Sequence, residues 1–353
     1  MKIAIDVSQV VYGTGVSVYT ENLVKSLHAI DNENEYLLFG GTLRKGKELR
    51  DKFPNVKVFP ISPAIANLIW NRLHVFSVEN LVGKIDVFHS SDWTQPPSRA
   101  FNVTTIHDLS PIIFSRYTDP KIVAAHEMRL NWVKKEVDRI IVPSQSTKED
   151  LLKLGFNQNI ISVIYEAPAP VFKKATVSEI ERVRQQYKIF SPFIMSIGVS
   201  LRKNTKTLVS AFEKAKKANL KLILVGGTEA TKIEDSRGVI VVGEVPNKDL
   251  VALYSGAEAF VYPSLYEGFG LPILEAFACG CPVVTSNVSS MPEVAGKAAV
   301  LVDPTDELSI AEGIILALRR KTSLSRVGLA RVKKFSWQKT AVETLRVYNS
   351  FHP

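Results

Sequence analysis

Short apolar runs rich in β-branched residues recur along the whole chain and alternate with helical patterns. Most of these runs are unbroken, which is typical of parallel strands that are buried on both faces of a sheet. Seven predicted strands lie in the first half of the chain, at 2–7, 36–40, 56–60, 86–90, 103–108, 139–144 and 161–166. Six more lie in the second half, at 193–198, 221–227, 239–243, 259–264, 282–286 and 298–303.

Helical patterns fill most of the gaps between these strands, at 15–29, 120–137, 203–218, 247–255 and 306–318. The resulting βαβ rhythm predicts an α/β protein built on doubly wound parallel sheets. The alternation of strands and helices is interrupted once, between Glu166 and Phe193, where three prolines and a polar helical pattern indicate a linker. We therefore predict two Rossmann-like domains, residues 1–170 and 171–335. Their ligands are expected beyond the carboxyl ends of the strands, in a cleft between the domains.

The chain carries a net charge of +9, and residues 319–339 contain eight Lys or Arg and no acid. A basic surface can attract nucleic acid, anionic lipid or phosphorylated small molecules. A solvated basic helix face is the simpler explanation. Neither zinc-finger spacing nor an RRM-type aromatic motif accompanies the charge, so we expect no nucleic-acid partner.

A hydrophobic fraction of 46% excludes a largely disordered chain. The N-terminus enters a predicted strand directly, so we expect no signal peptide. The two cysteines, Cys279 and Cys281, are separated by one glycine. They are predicted to be buried thiols in a reducing cytoplasm, and without further cysteines no zinc site is expected.

The stretch SLYEGFGLPILEAFACGCPVV, residues 264–284, holds Glu267 and Glu275 with seven residues between them. It follows a predicted strand, its glycines form a turn, and Pro272 suits the first turn of a helix. The N–H groups from Gly268 onward would then form an anion site suited to phosphate. Two acids that flank such a site make sense if each binds hydroxyl groups. A nucleotide-sugar has this pattern of sugar hydroxyls, diphosphate and ribose hydroxyls.

Arg202 and Lys203 come just past the predicted strand 193–198. A cationic pair at the carboxyl end of a strand can neutralise a diphosphate leaving group while charge develops on it. The structural alternative is that Arg202 and Lys203 only form the basic start of a helix. The presence of Glu267 in the same chain makes this alternative less convincing. We therefore treat both cations as candidate site residues.

Two further candidates follow strands of the first half. Gly13-Thr14-Gly15 opens a helix, but Val18 occupies the place of the third glycine in the dinucleotide fingerprint, so a dinucleotide site is not expected. His107 lies at the end of the predicted strand 103–108. A single histidine is usually a core residue, but this position makes it a candidate site residue.

The block around Glu267 and Glu275, with SSMPEVAG and LVDP further on, resembles the signature of retaining glycosyltransferase family 4, the glycosyl transferases group 1. The segments TIHDLSP and RKN resemble its mannosyltransferase-like members. The resemblance implies the GT-B fold, in which two Rossmann-like domains face each other across a central cleft. It also implies that residues 336–353 form a last helix that crosses back to the N-terminal domain.

The resemblance assigns roles to the acid block. The acid that matches Glu267 contacts the transferred sugar, and the acid that matches Glu275 binds the ribose. Backbone amides that match Phe269, Gly270 and Leu271 contact the sugar and the phosphate.

The cationic part of the family site is matched less closely. The family lysine that binds the diphosphate corresponds to Lys203. Many members have an arginine directly after the glycine of this loop, where this chain has Val199. Arg202 is the candidate to replace that arginine.

The resemblance also implies roles for residues outside these two blocks. The loop that matches Gly13 to Gly15 reaches the diphosphate and shapes the acceptor side. The histidine that matches His107 positions the transferred sugar. The largely backbone-lined base pocket places Val245 against the base.

The segment IANLIWNRLHVFSVENLVGK, residues 65–84, has apolar residues at helical spacing. Family members often seat lipid-linked acceptors near this segment on the membrane surface. Ordinary core packing and peripheral membrane contact both remain open for it.

The resemblance implies a retaining glycosyltransferase that moves a hexosyl group from a nucleotide-diphosphate sugar to a hydroxyl of a glycan or lipid-linked sugar acceptor. GDP-mannose is favoured over a UDP-sugar as the donor. No cofactor is expected, and without a D-x-D motif neither is a metal. The expected location is the cytoplasm, with the inner face of the cell membrane as a further expectation.

Other functions remain as alternatives. A sugar-nucleotide epimerase and a phosphorylase could be built on a similar fold. A non-catalytic scaffold on membranes or nucleic acid is a third possibility. The pair Glu267 and Glu275, together with Lys203, argues against the scaffold.

Overall fold

A computed structural model describes residues 1–215, 219–226 and 238–351. The chain divides into two compact units, one of Met1–Glu166 with the segment from Trp337 on, the other of Ala167–Ser336. The sequence placed the divisions after residues 170 and 335. Each unit is built around one parallel sheet.

The first unit has a seven-stranded sheet with the order β3-β2-β1-β4-β5-β6-β7, and every neighbouring pair is parallel. In chain order, the strands β1 to β7 are Lys2–Asp6, Glu35–Gly41, Lys57–Phe59, Val87–Ser90, Phe101–Thr105, Arg139–Val142 and Ile161–Val163. The order reverses beside β1, because the chain moves outward to β2 and β3 and then returns to β4 on the other side. Ligands bind at such switch points in open α/β sheets.

The second unit has a six-stranded parallel sheet with the order β10-β9-β8-β11-β12-β13. In chain order, the strands β8 to β13 are Phe193–Ile197, Lys221–Val225, Val239–Gly243, Ala259–Tyr262, Val283–Ser286 and Ala299–Val302. The reversal lies between β8 and β11, so the loops that follow these two strands are neighbours.

Helices connect the strands. In chain order, α1 to α15 are Gly15–Ile30, Gly46–Lys52, Pro63–Ala66, Glu79–Val82, Ser110–Ile113, Pro120–Glu136, Gln145–Lys153, Val177–Gln186, Thr205–Lys214, Asn247–Gly256, Leu271–Ala278, Met291–Ala295, Glu307–Arg319, Lys321–Val332 and Trp337–Tyr348. Short 3₁₀ segments lie at Ser8–Tyr12, Ser115–Tyr117, Gln158–Ile160 and Gly296–Ala298.

The predicted α/β class and the parallel sheets are confirmed. Each of the thirteen predicted strands corresponds to an observed one, although Gly227 of the predicted strand 221–227 lies outside the described residues. Most strands end earlier than predicted, whereas β4, β10 and β12 end where predicted and β2 ends one residue later. β5, for example, ends at Thr105, two residues before His107.

The predicted helix 203–218 begins later than expected, at Thr205, and residues 216–218 lie outside the described part of the chain. Asn204 has a left-handed backbone with φ 60°, which a helix cannot continue through. Its side-chain amide donates to the carbonyl of Pro263 at 3.1 Å and to that of Pro304 at 2.6 Å. Lys203 therefore lies in the turn that follows β8, not in the helix.

The helical spacing of apolar residues over 65–84 is matched only in part. The segment consists of α3, a π-helical turn at Asn67–Arg72, a loop, and α4. His74 and Phe76 have φ values of 52° and 67°, which interrupt the helix. The buried Trp70 then donates its indole N–H to the carbonyl of Phe76 at 3.0 Å and fixes the return of the chain.

The last helix, α15, packs against α1 within the first unit. The Trp337 ring contacts the Tyr19 ring edge-on, with 5.8 Å between centroids. The Thr340 hydroxyl donates to the carbonyl of Tyr165 at 2.7 Å, and the Tyr348 hydroxyl lies 2.6 Å from Nδ1 of His89. These contacts join the chain's last helix to the sheet of its first residues.

Gly313 of α13 gives a direct test of this packing. A Cβ on Gly313 would lie 2.4 Å from Cγ1 of Val302 and 3.1 Å from Cγ1 of Val284, on the two strands beneath it. Crowding of this kind costs about 1–3 kcal/mol, and the gain in helix propensity of about 1 kcal/mol offsets part of it. Because the 2.4 Å contact is severe, the cost should lie near the upper end of this range, and we expect Gly313→Ala to lower the free energy of unfolding by about 2 kcal/mol.

Urea denaturation followed by circular dichroism measures this change. Gly15→Ala is the matched control, because a Cβ at Gly15 would meet no atom within 4 Å. The packing account is contradicted if Gly313→Ala is as stable as this control.

Candidate functional site

Adjacent loops of the second unit bring three predicted site residues together. Arg202 and Lys203 lie in the turn between β8 and α9, and Glu267 lies in the loop between β11 and α11. Because β8 and β11 are parallel neighbours, both loops leave the same edge of the sheet. The Leu265 amide also donates to the carbonyl of Arg202 at 2.9 Å, which joins the two loops through their backbones.

Both oxygens of the buried Glu267 carboxylate form ion pairs. Lys203 Nζ lies 2.7 Å from Oε1, and Arg202 Nη1 lies 2.8 Å from Oε2 and 3.0 Å from the carbonyl of Tyr266. Burial alone would raise the pKa of Glu267, but the Lys203 and Arg202 charges hold that pKa at about 2. Glu267 is therefore an anion over the whole physiological pH range.

Tyr262, the last residue of β11, belongs to this cluster but was not predicted as a site residue. Its buried hydroxyl donates to Oε1 of Glu267 at 2.9 Å and also contacts Lys203 Nζ. Lys203 Nζ lies 4.6 Å from the centroid of the Tyr262 ring, within cation–π range. Burial raises the pKa of Tyr262 well above its usual range, so its hydroxyl remains protonated. Its position at a strand end, five residues before Glu267, was the available signal.

Serine hydroxyls fix the glycine-rich loop that carries Glu267. Ser289 donates to the Glu267 carbonyl at 2.6 Å, and Ser290 donates to the same carbonyl at 2.9 Å and to the Phe269 carbonyl at 2.7 Å. Gly268, Phe269 and Gly270 are all buried. The loop backbone is therefore held in place by the turn that precedes α12.

Helix α11 begins at Leu271 with Gly270 as its N-cap, so Pro272 lies in the first turn, as the sequence predicted. Gly270 has φ 105°, and a Cβ there would lie 3.2 Å from Ile273 Cδ1, so the position favours glycine. Pro272 has no N–H and the Ile273 amide donates to the Gly270 carbonyl at 3.0 Å, so the Leu271 amide and the loop amides before it lie at the positive end of the helix. Helix α11 therefore presents an anion-binding end at the same edge of the sheet as the Glu267 cluster.

Glu275, one turn into α11, has a different environment from Glu267. Its carboxylate is partly buried and accepts a hydrogen bond from the Tyr254 hydroxyl at 3.2 Å. Burial raises the pKa of Glu275 to about 7, and the Tyr254 hydrogen bond and the Lys203 charge offset this only in part. One acid of the pair is thus always ionised, and the other changes its charge near neutral pH.

The structure places Val245 at the same edge of the second sheet but farther from the cluster. It follows β10, which is separated from β8 by β9, and is partly exposed. Gly243 before it has φ 66°, and its carbonyl accepts a hydrogen bond from the Gly226 amide at 2.6 Å. Val245 therefore belongs to the edge but not to the ion-paired cluster.

In the first unit, His107 is anchored by a carboxylate. Its Nδ1 lies 2.9 Å from Oε1 of the buried Glu166, and Tyr19 packs edge-on against its ring at 4.5 Å. Burial would lower the pKa of His107, but the hydrogen bond and charge of Glu166 raise it above its ordinary value. Glu166 was not predicted as a partner of His107, because in the sequence it is only the last residue of a predicted strand.

Gly13 and Gly15 lie at the exposed start of α1. Gly13 has φ 70°, and a Cβ on either glycine would meet nothing within 4 Å. Between them, Thr14 caps α1 in a reciprocal capping box with Ser17. The turn is thus open to solvent and fixed at its helical side.

Two features are absent from the described residues (1–215, 219–226 and 238–351). No group of three or more His, Cys, Asp or Glu side chains in them could hold a metal ion. No helix in the same residues has both the length and the apolar character needed to cross a membrane.

The raised pKa of Glu275 predicts a pH dependence of stability. Between its ordinary value of 4.5 and about 7, the folded chain keeps a proton on Glu275 that the unfolded chain has lost. The free energy of unfolding therefore falls as the pH rises through this window. Relative to Glu275→Gln, the wild type should lose on the order of 2 kcal/mol between pH 5 and pH 8.

Urea denaturation of both proteins at the two pH values measures this difference. Glu307→Gln, which changes a solvent-exposed acid of the same unit, is the control and should follow the wild type. Parallel pH profiles for the wild type and Glu275→Gln would contradict the assignment of a raised pKa to Glu275.

Comparison with solved structures places this architecture among known folds. Sucrose-phosphate synthase from Thermosynechococcus elongatus matches with a TM-score of 0.77 at 20% identity, covering 99% of this chain and 98% of that one. The Anabaena protein HepE, solved in complex with UDP and glucose, matches with a TM-score of 0.75 at 18% identity over 99% and 100% of the two chains. The chain therefore has the GT-B fold.

Sequence comparisons identify the family. The model of Glycosyltransferase Family 4 matches residues 13–167, and the model of glycosyl transferases group 1 matches residues 179–330. The O-antigen chain mannosyltransferase B of Escherichia coli is 30% identical over 95% of this chain and 96% of its own length. Together the two models cover most of the chain, and the relative spans nearly all of it. The chain belongs to the family 4 glycosyltransferases of group 1.

Proposed function

We propose that this glycosyltransferase moves a hexosyl group, with mannosyl favoured, from a nucleotide-diphosphate sugar to a hydroxyl of a glycan or lipid-linked sugar. We further propose that it retains the anomeric configuration and needs no metal ion. The observation that carries the proposal is the cluster of Glu267, Lys203 and Arg202 beside the N-terminal end of α11. Two cations and a helix end at one edge are suited to a diphosphate, and the acid is suited to sugar hydroxyls.

In this proposal the diphosphate binds between the acids. Lys203, Arg202 and the amides from Gly268 to Leu271 would contact its oxygens. As the bond to the sugar breaks, negative charge grows on the departing phosphate, and fixed cations stabilise it without reorganisation. Because Val199 stands where many relatives have an arginine, Arg202 would supply that second charge.

The ion pairs of Glu267 suggest how binding rearranges the cluster. Each oxygen of Glu267 has a cation within 2.8 Å. A diphosphate would give Lys203 and Arg202 a second anionic partner. We expect Glu267 then to accept hydrogen bonds from hydroxyls of the transferred sugar, while Tyr262 continues to orient it.

The other residues would bind the remaining parts of the substrates. Glu275 would accept hydrogen bonds from the ribose hydroxyls, and Val245 would contact the base. In the first unit, His107 would position the transferred sugar, and Gly13 and Gly15 would shape the acceptor side.

The proposed reaction is a same-face displacement. The acceptor hydroxyl oxygen forms a bond to the anomeric carbon from the side on which the bond to the β-phosphate oxygen breaks. The hydroxyl proton passes to a phosphate oxygen of the leaving nucleoside diphosphate. The new bond lies on the face of the old one, so the configuration is retained.

The donor preference rests on the relatives. Several are named mannosyltransferases, including the O-antigen enzyme of Escherichia coli and a mannosyltransferase of Mycolicibacterium hassiacum that is 42% identical over 29% of this chain. This supports GDP-mannose as the donor. A UDP-sugar is the competing choice, because HepE was also solved with UDP-glucose.

Transfer from GDP-mannose by the purified full chain, in the presence of EDTA, tests the proposal. We expect Glu267→Gln and Lys203→Ala each to reduce transfer by about 100-fold or more, since each removes a group that acts on the reacting sugar or its leaving group. Lys214→Ala is the matched control, because Lys214 pairs with Glu307 in an exposed ion pair.

Circular dichroism establishes that each variant is folded, and NMR of the product gives its anomeric configuration. Full activity in either variant would contradict the assigned site. A product of inverted configuration would contradict the proposed reaction, and activity lost in EDTA would contradict metal independence.

We also propose peripheral contact with the inner face of the cell membrane, on the cytoplasmic side. The loop after Asn67–Arg72 exposes Leu73, Val75 and Phe76 by 58%, 52% and 49% of their surfaces. The left-handed backbone at His74 and Phe76 holds these side chains outward. An exposed apolar group of this size is typical of an interaction surface.

The basic segment 319–339 gives weaker support, because part of its charge has structural roles. Arg331 donates to the backbone carbonyls of Val294 and Glu293, and Lys321 pairs with Glu258. The proposal therefore rests mainly on the loop of the first unit.

Co-sedimentation with phosphatidylglycerol-containing vesicles tests this contact. We expect the double substitution Leu73→Ser and Phe76→Ser to reduce the bound fraction several-fold, because it removes most of the exposed apolar area. Leu154→Ser, at another exposed leucine of the first unit, is the control. Equal binding of the double variant and this control would contradict the proposed surface.

A further inference from the structure

Trp93 is an exposed aromatic residue on a loop that is otherwise rigidly fixed. Its side chain is 43% exposed, in the segment that follows β4. The buried Asn71 donates its side-chain amide to the Trp93 carbonyl at 3.0 Å and accepts a hydrogen bond from the Gln95 amide at 3.1 Å. Trp132 donates in turn to the Asn71 carbonyl at 2.8 Å. The loop therefore presents the Trp93 indole to solvent in a defined position.

Polar groups surround this indole. The His126 ring, from α6, lies 5.2 Å from the Trp93 ring, centroid to centroid. The preceding residue, Asp92, lies 3.6 Å from a guanidinium nitrogen of the fully buried Arg129. Arg129 is itself fixed by a 2.8 Å hydrogen bond to the Thr104 hydroxyl. Asp92 is thus held beside Trp93 by a buried cation.

The charges near Trp93 disfavour an anionic ligand. The carboxylates of Asp92 and Asp108 both act electrostatically on the His126 ring. Burial lowers the pKa of His126, so the ring is neutral at pH 7 and can donate or accept one hydrogen bond. Arg129 has 1% of its side chain exposed and is hydrogen-bonded to Thr104, whereas 13% of the Asp92 side chain remains exposed. Phosphate would be repelled here, whereas hydroxyl groups would find acceptors.

We propose that Trp93, Asp92 and His126 form a subsite for a neutral pyranose ring of the acceptor glycan. The apolar face of the sugar would stack on the indole, and its hydroxyls would donate to the Asp92 carboxylate and exchange hydrogen bonds with His126. The subsite recognises the sugar end of the acceptor and not a lipid-linked phosphate. The inference rests on the proposed transferase function, because it names the part of the acceptor that binds to the first unit.

The first test measures sugar binding without turnover. Saturation-transfer NMR of the full chain is recorded with the methyl glycosides of α-mannose, α-glucose and N-acetylglucosamine. We expect saturable transfer to at least one ring in the wild type and in Trp93→Tyr, which keeps an aromatic face. Trp93→Ala should lose the transfer. No saturable transfer from any of the three, or transfer unchanged in Trp93→Ala, would overturn the subsite.

The second test is kinetic, with the best-binding sugar of that series as the acceptor. Trp93→Ala should raise the acceptor KM by about tenfold, an effect typical of losing one aromatic contact. The donor KM should be unchanged, and Trp93→Tyr should restore most of the affinity. A wild-type acceptor KM in Trp93→Ala overturns the subsite. Loss of vesicle binding without a change in sugar binding also overturns it, because Trp93 would then be a membrane contact.

Thermal stabilisation by GDP separates this inference from the proposed function. If the wild type and Trp93→Ala are both stabilised by GDP and the acceptor KM is the same in both, only the subsite fails. If neither GDP nor any other nucleoside diphosphate stabilises the wild type, the proposed donor fails, while the sugar-binding result still decides the subsite.

Discussion

The buried ion pairs of Glu267 with Lys203 and Arg202 are the interaction on which the candidate site depends. A carboxylate in this position is stable as an anion only because each of its oxygens has a cation within 2.8 Å. The cations come from one loop and the acid from another. The pairs therefore fix the two loops at the edge where β8 and β11 are neighbours. The anion-binding end of α11 is positioned by the same loop.

The two acids of the segment 264–284 differ in charge although they lie close together in the sequence. Glu267 is paired with two cations and has a pKa of about 2, whereas burial without a strong cationic partner raises the pKa of Glu275 to about 7. An acid that is always ionised is suited to orienting hydroxyls beside fixed cations. An acid that titrates near neutrality has a hydrogen-bond donor when protonated and none when ionised. Ligand contacts at Glu275 should therefore depend on pH.

Much of the fold could be predicted from the sequence, because unbroken β-branched runs have few structural alternatives once helical patterns separate them. The positions of Glu267 and Lys203 followed from the ends of those strands. Residues whose roles depend on tertiary contacts were missed. In the sequence, Tyr262 resembles an ordinary strand residue. Glu166 and His107 follow different strands and come into contact only in the folded sheet. The helical spacing over 65–84 did not reveal the loop within that segment, because the spacing of apolar residues does not show which residues adopt left-handed backbones.

The central claim is that the Glu267 cluster and α11 form a nucleotide-sugar donor site. Thermal-shift titration of the full chain with GDP, UDP, dTDP and ADP in EDTA tests it most directly, because a ligand that binds only the folded state raises the melting temperature with its concentration. The account predicts that one nucleotide, with GDP favoured, stabilises the wild type and that this stabilisation is lost in Lys203→Ala. No stabilisation by any of the four at millimolar concentration would contradict it, as would an undiminished effect in Lys203→Ala.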